Sequence, residues 1–236
     1  MLVHTQTHLG LVRASNQDTL LVTSNAYGVA DGMGGHKGGE TASRVAAEVL
    51  VSALEGKVPD EKILKLGIEA ANRRVYEMGR ENRALYGMGT TLTVLWEGPQ
   101  AILIGHVGDS RAYRYRDGEL TPVTEDHSMV AELVKSKLIT PEMASNHPYK
   151  NVITRALGID PGVMPDILTA EKREGDTWLV CTDGLYNMVT DKQIAKVLKH
   201  RKGEDAAEKL LALAIEHGGH DNVSFVLCVV EAVSSE

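Results

Sequence analysis

Four aspartates stand in glycine-rich surroundings beside apolar runs: Asp31 in AYGVADGMGG, Asp109 in AILIGHVGDSR, Asp183 in TWLVCTDGL and Asp221 in HGGHDNVSF. The first three read as the point where an apolar strand runs out, and the fourth as the point where one begins. A carboxylate is costly to bury there unless positive charge neutralises it. Glycine, present within two residues of each, lets backbone approach closely. If these ends converge, carboxylates and backbone carbonyls face one another with no thiolate among them. An all-oxygen donor set suits a hard divalent cation, Mg²⁺ or Mn²⁺, rather than structural zinc. Taken singly, such an aspartate is more often a turn residue or helix cap, and Asp117 and Asp126, in polar turns, are read that way.

The elements that must bring the four together can be read from pattern. Residues 2–12 and 19–30 have strand character, the second broken by a turn at Ser24-Asn25. A helix over about 40–55 keeps Ala42, Val45, Ala46, Val49, Leu50, Ala53 and Leu54 on one face. A second, over about 60–85, starts at Pro59-Asp60-Glu61, where proline and acids favour a helix start. Strands follow at 90–97, 101–107, 111–116 and 119–124. The Asp117-Gly118 pair between the last two is a hairpin signal. Residues 125–150 are polar, with short helical pieces near 128–137 and from Thr140-Pro141-Glu142, and suit a surface flap at about 128–150. Strands near 163–169 and 177–182, helices near 190–200 and 204–217, and a last strand over 223–230 complete the chain. Strand–helix–strand alternation does not dominate, which argues against a doubly wound parallel sheet. The order predicts an α+β fold of two mostly antiparallel sheets, one face of each carrying a helix pair. With no repeat, linker or low-complexity stretch, residues 1–236 read as one domain.

Composition narrows the class. The 236 residues carry 25 Lys+Arg against 32 Asp+Glu, a formal net charge of −7, with 43% hydrophobic and 4% aromatic residues. An acid surplus with few aromatics is a poor match to nucleic-acid binding, which calls for a basic stripe or a stacking platform. No apolar run approaches the ~18 residues of a membrane span. The start, MLVHTQTHLGLVR, lacks the basic and apolar blocks of a signal peptide. Cys181 and Cys228 sit in apolar strand-like runs and read as reduced core residues of a cytoplasmic protein.

The segments GLVRASNQD (10–18), VADGMGGHKGGE (29–40), GMGTT (87–91), GDSRAY (108–113), TEDHS (124–128), NVITRALG (151–158), CTDGL (181–185) and GGHDNVS (218–224) resemble, in order and over nearly the whole chain, the metal-dependent type 2C protein serine/threonine phosphatases, the PPM family. Size and the DGMGGH form are similar to its short bacterial branch. The resemblance implies a β-sandwich with helices on both outer faces, in α-β-β-α layers. It also implies residue roles. Asp31 matches the aspartate that bridges two metals, and the Gly32 carbonyl matches a ligand of the second. Asp183 and Asp221 match the remaining protein ligands of the first metal. Asp109, with Asp183, matches a third, weaker site. Asp18 would reach a metal through water, and Asn222 would orient groups beside Asp221. Arg13 matches the arginine that holds the substrate phosphate, a task suited to a planar bidentate donor. The implied reaction is attack of an activated water on phosphorus, in line with the leaving seryl or threonyl oxygen. The leaving oxygen needs a proton, and His36 is the candidate donor.

The chain departs from the family pattern in three places. Met33 fills the position where animal-type members carry histidine, Gln17 stands where many carry glutamate, and Ser224 stands where threonine is usual. His127 and His147 are further candidates for lining the flap. Other phosphatase chemistries do not match. A C-x₅-R motif fails at Asn187 and Ser234, and neither D-x-D nor G-x₄-G-K-[ST] occurs. The leading expectation is therefore a monomeric, cytoplasmic Mn²⁺- or Mg²⁺-dependent phosphatase of phosphorylated proteins, opposing a Ser/Thr protein kinase. Its rivals are a phosphatase-like regulatory binding module with little catalysis and a metal-stabilised structural fold.

Overall fold

Apolar side chains alternate along the central strands, and the two faces this creates meet different layers. The computed structural model of the chain describes residues 1–34, 38–145 and 147–231. One sheet holds β1 (Leu2–His8), β7 (Arg111–Arg116), β8 (Glu119–Pro122), β10 (Thr177–Cys181) and β11 (Val223–Val229), in the order β1-β11-β10-β7-β8. The other holds β2 (Asp18–Val22), β3 (Ala26–Met33), β5 (Leu92–Glu97), β6 (Ala101–Val107) and β9 (Asp166–Glu171) in that order, with the two-residue β4 (Gly89–Thr90) beside β3. Every pairing among the described strands is antiparallel.

In β10, Trp178 and Val180 face a central layer shared with Tyr27, Val29, Leu95, Ile104, Val226 and Cys228, which glues the two sheets together. Leu179 and Cys181, on the opposite face of the same strand, pack under α6 (Asp191–His200) and α7 (Gly203–Glu216) with Phe225, Val197 and Leu210. In β5, Leu92, Val94 and Trp96 point outward to α1 (Gly38–Leu54) and α2 (Glu61–Glu81), meeting Leu50, Leu64 and Ile68. Three apolar layers thus lie between four structural ones. The fold is the expected α+β sandwich of two antiparallel sheets, each covered by one helix pair. With one phenylalanine, the layers are filled mainly by aliphatics, and the two tryptophans anchor different layers.

Element boundaries shift in ways that have physical causes. The first strand ends at His8, and residues 9–12 leave the sheet, with Leu11 N–H donating to the Gly219 carbonyl. The long helix ends at Glu81, and Asn82 then caps a single 3₁₀ turn over Arg83–Leu85. The strand expected at 163–169 lies at Asp166–Glu171. An extra helical turn, α5 (Asp183–Tyr186), follows β10 directly. The hairpin is as expected: Asp117 and Gly118 both take positive φ, 52° and 87°, as its two central residues require. The flap carries α3 (Met129–Lys135), capped by the Ser128 hydroxyl, and α4 (Pro141–Ser145). Among the described residues no helix is long and apolar enough to cross a membrane.

Candidate metal centre

The carboxylates meet at one end of the sandwich. A cavity of about 600 Å³ is lined by Arg13, Gln17, Asp31, Gly32, Asp109, Asp183, Asp221 and Asn222, among others. Of the residues singled out in the sequence, Asp18 lies behind the cavity wall, and His36 lies outside the described residues.

Asp31 corrects the expectation that it ends a strand. It sits inside β3, opposite Asp18 of β2. Its N–H donates to Thr91 Oγ1 at 2.9 Å, and its carbonyl accepts from Thr91 N at 2.9 Å and Thr90 Oγ1 at 2.9 Å. The backbone of Asp31 is therefore fixed from both directions. The next residue, Gly32, lies so close to the Gly39 carbonyl that a Cβ at position 32 would collide with it. Asp109 stands two residues beyond the end of β6, its carbonyl accepting from the Tyr186 hydroxyl at 3.0 Å. Asp183 opens α5, with Asn187 Nδ2 3.1 Å from its Oδ2. Asp221 precedes β11 and receives Arg13 Nη2 on Oδ2 at 2.6 Å. Arg13, expected at the phosphate, is held here by the carboxylates because it carries the fixed positive charge nearest them; Asp221, Asp183 and Asp31 all favour its charged form. Asn222 holds the loop that carries Arg13: its Nδ2 donates to the Leu9 and Ser15 carbonyls at 2.9 and 3.0 Å, and its Oδ1 accepts from Gln17 N–H at 2.8 Å.

Burial and mutual repulsion together raise the carboxylate pKa values. Asp109 is pushed up to about 7, by desolvation first and then by the charge of Asp183. Asp31 is raised well above the usual range by desolvation and then by Asp18. Asp18 is raised by desolvation, against hydrogen bonds from Ser224 and Thr182 that pull it down. Asp183 is raised by desolvation and Asp221, with Arg13 opposing.

Among the described residues no three His, Cys, Asp or Glu side chains stand close enough together to hold a metal ion. Two other features nevertheless fit divalent cations. Among the described residues, Asp18 Oδ1 is buried without a hydrogen-bond partner. Four more carboxylates line one cavity, offset by Arg13 on Asp221 and by the more distant charge of Arg111 near Asp109 and Asp183. The donor set is oxygen only, as Mg²⁺ or Mn²⁺ requires. Asp31, Gly32, Asp109, Asp183 and Asp221, the residues expected as its ligands, all line this cavity.

Several supporting residues were not singled out in the sequence. Thr91 Oγ1 bonds Ser110 Oγ at 2.7 Å and so links the Asp31 corner to the Asp109 corner. Thr182 Oγ1 donates to Asp18 Oδ2 at 2.9 Å, and Tyr186 supports Asp109. All but Tyr186 lie within the quoted motifs, so membership of a motif was the available signal. His127 lines a second cavity under the flap, while His147 accepts from the N–H of Tyr149 within the flap. Asp126 is occupied by a bidentate pair with Arg111 at 2.9 and 2.7 Å, in keeping with a structural reading.

A family model, Protein phosphatase 2C, matches residues 12–213. The chain belongs to the protein phosphatase 2C family. It is similar to the serine/threonine protein phosphatase PstP of Mycobacterium tuberculosis, at 38% identity over 223 residues, 94% of this chain and 43% of PstP. The chain therefore spans under half the length of that relative. The Listeria welshimeri serine/threonine phosphatase Stp is 35% identical over 234 residues, covering 94% of this chain and 93% of Stp. A crystal structure of M. tuberculosis PstP superposes with a TM-score of 0.92 at 36% identity, covering 98% of this chain and 100% of that one. A structure of the PstP catalytic domain in complex with two manganese ions gives a TM-score of 0.86 at 35% identity, with 98% of each chain covered.

Proposed function

We propose that this chain is a Mn²⁺- or Mg²⁺-dependent phosphatase that hydrolyses phosphoserine and phosphothreonine in proteins. The observation that carries it is the convergence of Asp31, Asp109, Asp183 and Asp221 with Arg13 on one cavity, in a chain of the protein phosphatase 2C family. Bound divalent cations supply a Lewis acid and lower the pKa of water toward neutrality. Asp31, the Gly32 carbonyl, Asp183 and Asp221 are the proposed ligands of two ions, and Asp109 with Asp183 those of a weaker third. Asp18 orients groups behind Asp31. Arg13 is the proposed phosphate clamp; to serve, its guanidinium swings from Asp221 toward the substrate, and its more than half exposed side chain leaves room for that. Asn222 keeps the 9–17 loop in place so that Arg13 returns to the same position.

The whole of residues 1–236 is read as one catalytic unit whose flap at about 128–150 governs substrate choice. The proposed partners are phosphorylated proteins and the Ser/Thr kinase whose products they are. A monomer in the cytoplasm is the accompanying proposal. The binding-module alternative is disfavoured because all four metal-site aspartates and Arg13 are present.

The test is turnover of a phosphothreonine peptide with Mn²⁺. Activity is expected to vanish in EDTA and to fall at least about 100-fold in Asp183→Asn, since direct ligands matter more than their supporting groups. Undiminished turnover in EDTA would overturn the reading, as would partner binding without any hydrolysis.

A further inference from the structure

The second cavity, of about 890 Å³, lies between the flap and the sheets, and Asp109, Asn151 and Asp183 line both cavities. His127, buried at 7% exposure, lines the second cavity. Its ring bonds differ on its two sides. Nδ1 lies 3.0 Å from the Gly108 nitrogen. A backbone N–H can only donate, so Nδ1 accepts, and the ring proton belongs on Nε2. That proton faces Asp166 Oδ2 at 3.2 Å. Arg155 Nη1, 3.0 Å from the same nitrogen, hands its own protons to Asp166 Oδ1 at 2.7 Å and the Met164 carbonyl at 2.9 Å.

The backbone doubles the grip. His127 N–H donates to the Gly108 carbonyl at 2.8 Å, and the His127 carbonyl accepts from Thr154 N–H at 2.8 Å. Ser128 pairs with Ile153 across the base of the flap. Gly108 itself has φ of +110°, and a Cβ there would stand 2.6 Å from Thr91 side-chain atoms, so this corner takes only glycine. A residue that cannot carry a side chain gets its position from outside, and the outside group is His127.

We infer that His127 is a positioning residue: its Nδ1 fixes the Gly108–Asp109 corner, and its Nε2–H ties that corner to Asp166 at the start of β9, which Arg155 holds in turn. The inference rests on the metal-site reading above. It makes Asp109 the carboxylate whose placement responds to what fills the flap cavity.

Two substitutions separate the two ring nitrogens. Asn at 127 places an amide oxygen near Nδ1, where it can accept from Gly108, but falls short of Asp166. Gln reaches the Nε2 position but leaves the Gly108 N–H without its acceptor. His127→Gln is expected to raise the Mn²⁺ concentration for half-maximal turnover by about 10- to 100-fold. His127→Asn is expected to recover part of that loss. In ¹⁵N-labelled protein without metal, the Gly108 amide resonance should move in His127→Gln and stay nearer the parent in His127→Asn. On an Asp109→Asn background, His127→Gln should add almost nothing, because the imidazole acts through that carboxylate. Asp166→Ala, at a 40% exposed side chain, is the second variant if the histidine changes unfold the chain. It should shift the Gly108 amide in the same direction, by less. Equal losses in Gln and Asn with no Gly108 shift would overturn the inference, as would full additivity with Asp109→Asn. A wild-type chain inactive with Mn²⁺ would instead overturn the phosphatase reading, and the amide measurement would still judge His127.

Discussion

Asp31 and Asp109 line the same cavity, yet the fold holds them by opposite means. Asp31 is a residue of a central strand, flanked by β2 and β5, and locked through its own N–H and carbonyl by Thr90 and Thr91. Asp109 lies beyond the end of its strand. Its corner is held from other segments, by His127 through both its ring on the Gly108 N–H and its own N–H on the Gly108 carbonyl, and by the Tyr186 hydroxyl on the Asp109 carbonyl. A carboxylate built into a strand moves only if the sheet moves, whereas one on a corner held partly by side chains can be adjusted by whatever touches them. In the proposed metal site, Asp31 would then be the fixed element shared between two cations, and Asp109 the adjustable one.

The largest expected effect tests that contrast directly. Asp31→Asn should reduce kcat/KM toward a phosphothreonine peptide by roughly 10³-fold, the upper scale for removing one preorganised electrostatic group. Asp109→Asn should cost about 10- to 100-fold, with much of the loss recovered at high Mn²⁺. Steady-state kinetics across a Mn²⁺ titration measures both. Equal losses that no metal concentration restores would remove the distinction between a fixed and an adjustable ligand.

The same contrast explains what the sequence disclosed. The convergence of four aspartates was legible because each stands against an apolar run that must enter the core, and the runs of β3, β6 and β10 can end only at the rim of a sandwich. The sheets and both helix pairs followed from alternation and helical spacing of buried residues such as Trp178, Val180, Leu64 and Ile68. Side chains that act across the fold were not legible. Thr91, Thr182 and Tyr186 work on residues 60, 164 and 77 positions away, and no local pattern encodes such a partner. The turn α5 was missed because four residues carry no helical period. The glycine-rich flank of Asp31 imitates a strand end, although β3 continues through Gly32 to Met33.

A second prediction concerns pH, and it again falls on the Asp109 side. His106, on β6 three residues before Asp109, is fully buried, its ring 4.6 Å from that of His127. Burial and the neighbouring His127 lower its pKa to about 4, against support from the Glu125 carbonyl, Asp126 and Asp166. The unfolded chain binds this proton near pH 6.5 and the folded chain does not, so the unfolded state holds more protons between those values. The contribution is present above about 6.5 and is lost as pH falls toward 4. Its size is up to about 3 kcal/mol. The raised carboxylates act in the opposite sense over the same window: the folded state holds the extra protons, and stability falls as pH rises. The informative quantity is therefore a difference. Denaturation in EDTA at pH 7 and pH 4 should show wild type losing up to about 3 kcal/mol more than His106→Gln on acidification. Parallel curves would show that the ring is protonated without cost, and that the strand leading to Asp109 is no more sensitive to acid than the one holding Asp31.

The smallest expected effect separates the two supports of Asp109 from each other. The Tyr186 ring stacks on the Arg111 guanidinium, 3.7 Å from ring centroid to Cζ, while its hydroxyl donates to the Asp109 carbonyl. Tyr186→Phe keeps the ring against Arg111 and removes only the donor. One neutral hydrogen bond contributes about 1 kcal/mol, so the melting temperature should fall by about 2–4 °C for a chain of this length. The effect on metal demand should be small, because the hydroxyl restrains only the peptide unit after Asp109. The imidazole holds the peptide unit ahead of Gly108, so it aims the whole Gly108–Asp109 corner that carries the carboxylate. Tyr186→Phe should accordingly raise the half-maximal Mn²⁺ concentration by less than His127→Gln does, when both are measured on the same peptide. If Tyr186→Phe proves the more damaging of the two, the hydroxyl and not the imidazole sets Asp109. The adjustable corner would then be governed from α5, beside Asp183, and not from the His127–Asp166 contact in the second cavity.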